Sequence, residues 1–171
     1  THEPDEAMRM ADEIALMRDG RIVQQGAPYN VYTHPVDRAA VAFFSDENVL
    51  KAKVTGALAQ TPFGGFLAPG YADGTMVDIV FRPQHIRIDF DRAGQAPKPT
   101  KTDGTPARAV VERARFMGQE SLVEFRMDYD GSVLKATVPN VFMPHPGTVM
   151  WLTVRRDKCF VFPASATVTR G

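Results

Sequence analysis

The sequence predicts a mainly β protein: a small all-β barrel or sandwich preceded by a short α+β segment. Apolar residues recur at helical spacing only as far as Phe44, and from Ser45-Asp46-Glu47-Asn48 onward the period drops to two. Beyond that point short alternating runs are separated by Gly- and Pro-containing turns, which is the grammar of a small barrel or sandwich. The chain has 171 residues, 44% of them apolar, enough for one full domain and an appendage. Two parts are therefore expected, residues 1–47 and residues 48–171.

The first part opens with Thr1-His2-Glu3. Pro4 suits the first position of a helix, where its missing N–H would be unpaired anyway. Asp5 and Glu6 follow near the positive end of the helix dipole. Ala7, Met10, Ala11 and Ile14 lie three and four apart and predict one apolar helical face. Asp19-Gly20 separates Ile14–Met17 from Arg21–Gln25 and reads as a hairpin turn. Two short helices are expected next. One opens at Gly26-Ala27-Pro28 and is stopped by His34-Pro35; the other runs over Val36–Phe44. Tyr32 reads as a packing residue and His34 as a polar turn residue.

In the second part Val49, Leu50 and Val54 predict a strand ending near Gly56. Phe63-Gly64-Gly65-Phe66 reads as a tight hairpin and Ala68-Pro69-Gly70 as another turn. Val77, Ile79 and Phe81 alternate with Asp78, Val80 and Arg82; Pro83 breaks the run, and Ile86, Ile88 and Phe90 resume it. Residues 92–106 are a Pro-, Gly- and Lys-rich loop with nothing to bury. Strands are then expected at Ala107–Phe116, Leu122–Tyr129 and Val133–Val138, with a rigid connection over Pro139–Gly147. A last hairpin would pair Val149–Val154 with Cys159–Phe162 across Arg155–Lys158. Trp151 reads as a core residue.

Composition excludes several classes. No apolar run approaches the roughly 18 to 20 residues of a membrane helix. The single cysteine, Cys159, excludes an internal disulfide framework. Net charge is zero, which argues against a general nucleic-acid binder. The balance hides an asymmetry: residues 1–47 carry nine acids and four bases, the remainder eleven acids and sixteen bases. His2, His34, His85 and His145 share no metal-ligand spacing, so no metal site is expected. Arg82, His85 and Arg87 could form an oxyanion pocket, two guanidiniums and an imidazole suiting phosphate or sulfate. The blander reading places these side chains on the polar face of a strand crossing at Pro83.

Taken alone, a histidine such as His2 is commonly just solvated. The ordered run THEPDEAMRMAD-IALMRDGRIVQQG nevertheless resembles the H-loop region of the ATP-binding subunits of ABC importers. Thr1, His2, Glu3, Glu6 and Ala7 match the T-H-[DE]-x-x-E-A pattern of that family. Gly26, Pro28, Val31, Tyr32 and Pro35 match its G-x-P-x-x-[IV]-Y-x-x-P. The resemblance implies that His2 is the switch histidine that contacts the ATP γ-phosphate. Imidazole suits the task, since phosphoryl transfer depends mostly on positioning and charge stabilisation. No G-x-x-x-x-G-K-[ST] phosphate loop, magnesium-holding acidic strand end or serine-glycine signature is present. The expectation is the last part of an ATPase that uses ATP and Mg when whole, with the piece itself inactive and binding no cofactor.

The β part resembles the TOBE regulatory domain, an oligonucleotide-fold-like barrel found at the C-terminus of such ATPases. Val80-Phe81-Arg82-Pro83-Gln84-His85-Ile86-Arg87-Ile88 is close to its [VI]-x-R-P-E-x-[IVL]-R-[LIV]. Asn48, the Phe116-Met117-Gly118 turn and Phe160-Val161-Phe162 also fit. Gln84 departs from the usual Glu. The resemblance implies a barrel that regulates the ATPase and helps to dimerise it. It also implies partners: a second copy of the subunit, transmembrane permease subunits and, indirectly, a periplasmic binding protein, with no nucleic acid. The location implied is cytoplasmic and peripheral, on the inner face of a bacterial plasma membrane. Ferric iron is the first expectation for cargo, ahead of polyamine, sugar and glycerol phosphate. A second class, oxyanion sensing, is known among relatives of this domain that bind molybdate. Their S-A-R-N stretch is replaced here by Asp46-Glu47-Asn48, which is acidic where an anion would sit.

Overall fold

The computed structural model describes residues 1–165. The chain divides into two compact units, Thr1–Glu47 and a second from Asn48 onward; residues 166–171 at the end of the second lie outside the described ones. In the first unit, helix α1 (Pro4–Met10) starts with proline at its first turn. It is shorter than its apolar spacing predicts. The Ala11 N–H closes the last turn on Ala7, after which Ala11 is already extended, with φ −90° and ψ 140°. Ile14 therefore belongs not to the helix but to strand β1 (Ile14–Arg18), where it and Leu16 alternate inward. Met10, assigned to the same face by spacing, is 80% exposed.

β1 pairs antiparallel with β2 (Arg21–Gly26). Asp19 and Gly20 between them both have positive φ, 50° and 73°. That is the requirement of a two-residue turn whose twist matches the strands. Helix α2 (Pro28–Thr33) follows as expected. Helix α3 (Arg38–Phe44) begins two residues later than the Val36 start expected from sequence. Asp37 is its N-cap and accepts the Ala40 N–H, while the Val36 N–H is already given to the Gln24 side chain. Asp37 also receives both Nη atoms of Arg18, at 2.7 and 3.1 Å. Ile14, Leu16, Val31 and Ala40 form the core of this unit. Tyr32 packs edge-on against Phe44.

The second unit is mainly β, as expected, and consists of two five-stranded antiparallel sheets curled into half-barrels. The strands are β3 (Asn48–Thr55), β4 (Leu58–Thr61), β5 (Gly64–Leu67), β6 (Met76–Phe81) and β7 (Ile86–Phe90), then β8 (Ala107–Phe116), β9 (Glu120–Met127), β10 (Val133–Pro139), β11 (Val149–Val154) and β12 (Phe160–Pro163). One sheet has the order β12-β6-β3-β4-β5 and the other β10-β9-β8-β11-β7. Phe63, Phe81, Ile79, Phe125, Met127 and Leu152 are among the fully buried residues between them.

Four expectations are corrected here. Gly64 and Gly65 lie inside β5, and the turn is Pro62-Phe63, since Thr61 pairs with Gly64. β11 and β12 do not form a hairpin. β11 pairs with β7 and β8, whereas β12 crosses to β6, Phe160 facing Val80. A 3-10 turn (Arg156–Lys158) makes the crossing, anchored by the Arg156 N–H on the Thr102 carbonyl. Residues 92–106 do bury something: Asp103 is 7% exposed and bonded to Arg87 and Thr100, and the Thr105 N–H donates to the Phe63 carbonyl. Trp151 is only half-buried, with its indole N–H donated to Asp91 at 2.8 Å.

Asn48 ties the sheets together. Its side-chain amide donates to the Lys135 carbonyl and accepts the Lys135 N–H, each at 2.8 Å. The side chain thereby supplies the hydrogen-bonding partner that an edge strand otherwise lacks.

Candidate functional site

His2 is solvent-exposed at the turn before α1. It lies on the rim of an open groove of about 690 Å³ whose walls include Met10, Leu16, Arg18 and Phe43. Two bonds that sequence inspection did not single out hold the turn. The Glu3 N–H donates to Thr1 Oγ1, and that hydroxyl donates to Glu6 Oε2, both at 3.1 Å. In the sequence Thr1 and Glu6 are only matching letters of a motif; the geometry relates them to one another.

Arg82, His85 and Arg87 sit around the crossing at Pro83 but do not converge. Arg82 is 1% exposed, with its guanidinium 5.4 Å from the centre of the Phe160 ring, so it does not lie on a polar face. β6 is buried on both faces, and Arg82, which follows it, is buried too. Arg87 is exposed and pairs with Asp103 at 3.0 Å. His85 is half-buried in a 3-10 turn (Pro83–His85), its Nδ1 without a hydrogen bond. Burial first, then the positive charges of Arg82, Lys158 and Arg155, push its pKa from 6.5 down to about 4.

The His85 shift has a consequence for stability. The unfolded chain takes up the proton near pH 6.5 and the folded chain only near 4, so stability is full above 6.5 and is lost as pH falls towards about 4. Replacing His85 with glutamine should flatten that part of a urea-unfolding pH profile. An unchanged slope would show that the proton is not excluded by folding.

Among the described residues no group of His, Cys, Asp and Glu side chains could hold a metal ion. No helix there is long and apolar enough to cross a membrane.

Residues 79–162 match the TOBE domain family. The chain is 31% identical over 134 residues to the Fe(3+) ions import ATP-binding protein FbpC 2 of Rhodococcus jostii, covering 78% of this chain and 35% of that one. It is 38% identical over 104 residues to the spermidine/putrescine import ATP-binding protein PotA of Ruegeria pomeroyi, covering 57% and 28%. Among the leading relatives it spans between 25% and 42% of their length. In fold, the cytoplasmic molybdate-binding protein ModG matches 68% of this chain and 96% of its own, with a TM-score of 0.52 and 13% identity. The chain thus carries a TOBE domain and corresponds to the C-terminal region of the ATP-binding subunits of ABC-type importers.

Proposed function

We propose that the whole protein is the ATP-hydrolysing subunit of an importer, with His2 contacting the γ-phosphate and the TOBE unit regulating and helping to pair two copies. The observation that carries the reading is the position of His2. Its imidazole is exposed and helps to line an open groove, at a turn whose residues resemble those around a switch histidine. The relatives' names support ATP as the nucleotide. In this reading ATP and magnesium are held mainly by parts of the protein other than these residues. The partners are a second copy, permease subunits and a binding protein, and the location is the cytoplasmic face of the membrane.

Ferric iron is the preferred cargo because relatives named for it recur, with polyamine second. Uptake of radiolabelled ferric iron and of spermidine by the reconstituted transporter separates the two; spermidine uptake alone would reject iron. Oxyanion sensing through Arg82, His85 and Arg87 is disfavoured. One arginine is stacked beneath the surface and another is engaged by Asp103.

The 171-residue chain by itself should release no phosphate from ATP, because it has no phosphate loop or catalytic carboxylate motif. Phosphate release above a buffer blank that survives repurification would reject this division of labour.

A further inference from the structure

The loop that presents His2 is tied on both sides. Thr1 Oγ1 accepts the Glu3 N–H at 3.1 Å and donates its own O–H to Glu6 Oε2 at 3.1 Å. On the far side, the Glu3 carbonyl accepts the Ala7 N–H at 3.2 Å, and Pro4 restricts the backbone in between. His2 is therefore the middle residue of a turn whose two ends are joined through one hydroxyl and one carboxylate. Its own side chain is left unencumbered at the groove rim.

We propose that Thr1 and Glu6 are positioning residues for His2, forming a clasp that fixes the backbone turn from which its imidazole reaches a phosphate oxygen. The inference rests on the reading of His2 as a γ-phosphate contact. A hydroxyl is required at position 1 because the group must accept from an amide and donate to a carboxylate at once, which no apolar or acceptor-only side chain can do. Glu6 accepts the hydroxyl hydrogen bond and so orients the Thr1 lone pairs towards the amide. The clasp touches no substrate and acts only by limiting where the His2 backbone, and so the root of its side chain, can lie. Small displacements of a reacting or stabilising group are costly in rate.

The test uses the full-length subunit in its reconstituted transporter. Thr1→Val should lower kcat about tenfold or more with little change in KM for ATP, and Thr1→Ser should restore it. Glu6→Ala should resemble Thr1→Val. In a His2→Ala background, Thr1→Val should cost nothing further, because a positioning residue has nothing left to position. Wild-type turnover in Thr1→Val, or an equal loss in both backgrounds, would overturn the clasp. A separate measurement keeps the underlying reading distinct. In the 171-residue chain, the Glu3 amide should exchange faster with solvent in Thr1→Val than in the parent, by NMR. An unchanged rate refutes the clasp itself. Faster exchange alongside a fully active His2→Ala would leave the clasp intact but refute its catalytic purpose, and the γ-phosphate reading with it.

Discussion

Replacing His2 with alanine in the intact subunit should cut ATP turnover by roughly 100- to 1000-fold while leaving nucleotide binding nearly unchanged. A donor aimed at a phosphate oxygen acts where charge develops in the transition state, and losing one such contact costs about 2.7–4 kcal/mol. In the proposed reading the rest of the nucleotide is held by other parts of the protein, so affinity for ATP should be spared. The structure is consistent with so local a loss, since His2 is exposed and no hydrogen bond or core contact of its unit depends on its ring. Single-turnover hydrolysis in proteoliposomes, with binding followed by a fluorescent nucleotide, checks both halves. Wild-type turnover in the variant would remove His2 from the mechanism.

A large effect on stability is expected at Phe125. It is fully buried in β9, in the core shared by both sheets. Truncating a buried phenylalanine to alanine costs about 3–5 kcal/mol, partly for lost transfer and partly for the cavity left behind. Domains hold only about 5–15 kcal/mol in total, so the urea midpoint should fall steeply. Phe90 serves as the control. It has the same side chain but is 64% exposed and touches Phe142 edge-on, and Phe90→Ala should shift the midpoint far less. Similar shifts for the two would mean that the sheets do not enclose the core described.

Local chemistry made much of this legible from sequence. Asp19-Gly20 announces its turn because few other residues tolerate two successive positive φ values. Pro28 and the Pro83 break work through their own rings, and β6 and β7 are visible as strands from their alternating letters, although β6 is buried on both faces and its alternation does not mark an exposed one. Choice of partner was not legible. Val149–Val154 and Cys159–Phe162 are each good strands four residues apart, and proximity suggests a hairpin. The Thr102 carbonyl that anchors Arg156 and turns the chain away lies more than fifty residues upstream. Arg82 was misread for a similar reason. Its type suggests solvent, but the ring that covers it belongs to Phe160 on a strand of a distant segment. At the His2 turn the motif was visible, yet the hydroxyl relay between Thr1 and Glu6 is a matter of distance rather than of letters.

The crossing of β12 to β6 also bears on how the protein is made. Phe160 must find Val80 before β6 has its full set of neighbours, and Asn48 must find Lys135 before the two sheets are tied together. Folding slows as contacts span more of the chain, because the entropy of closing each loop is lost before any pairing repays it. At about 5–20 residues per second, the ribosome completes β12 several seconds after β6 emerges. Throughout that interval one edge of β6 presents its backbone N–H and C=O groups with no strand beside it. A nascent chain stalled before Cys159 should accordingly remain protease-sensitive over β6, and one released beyond Pro163 should not.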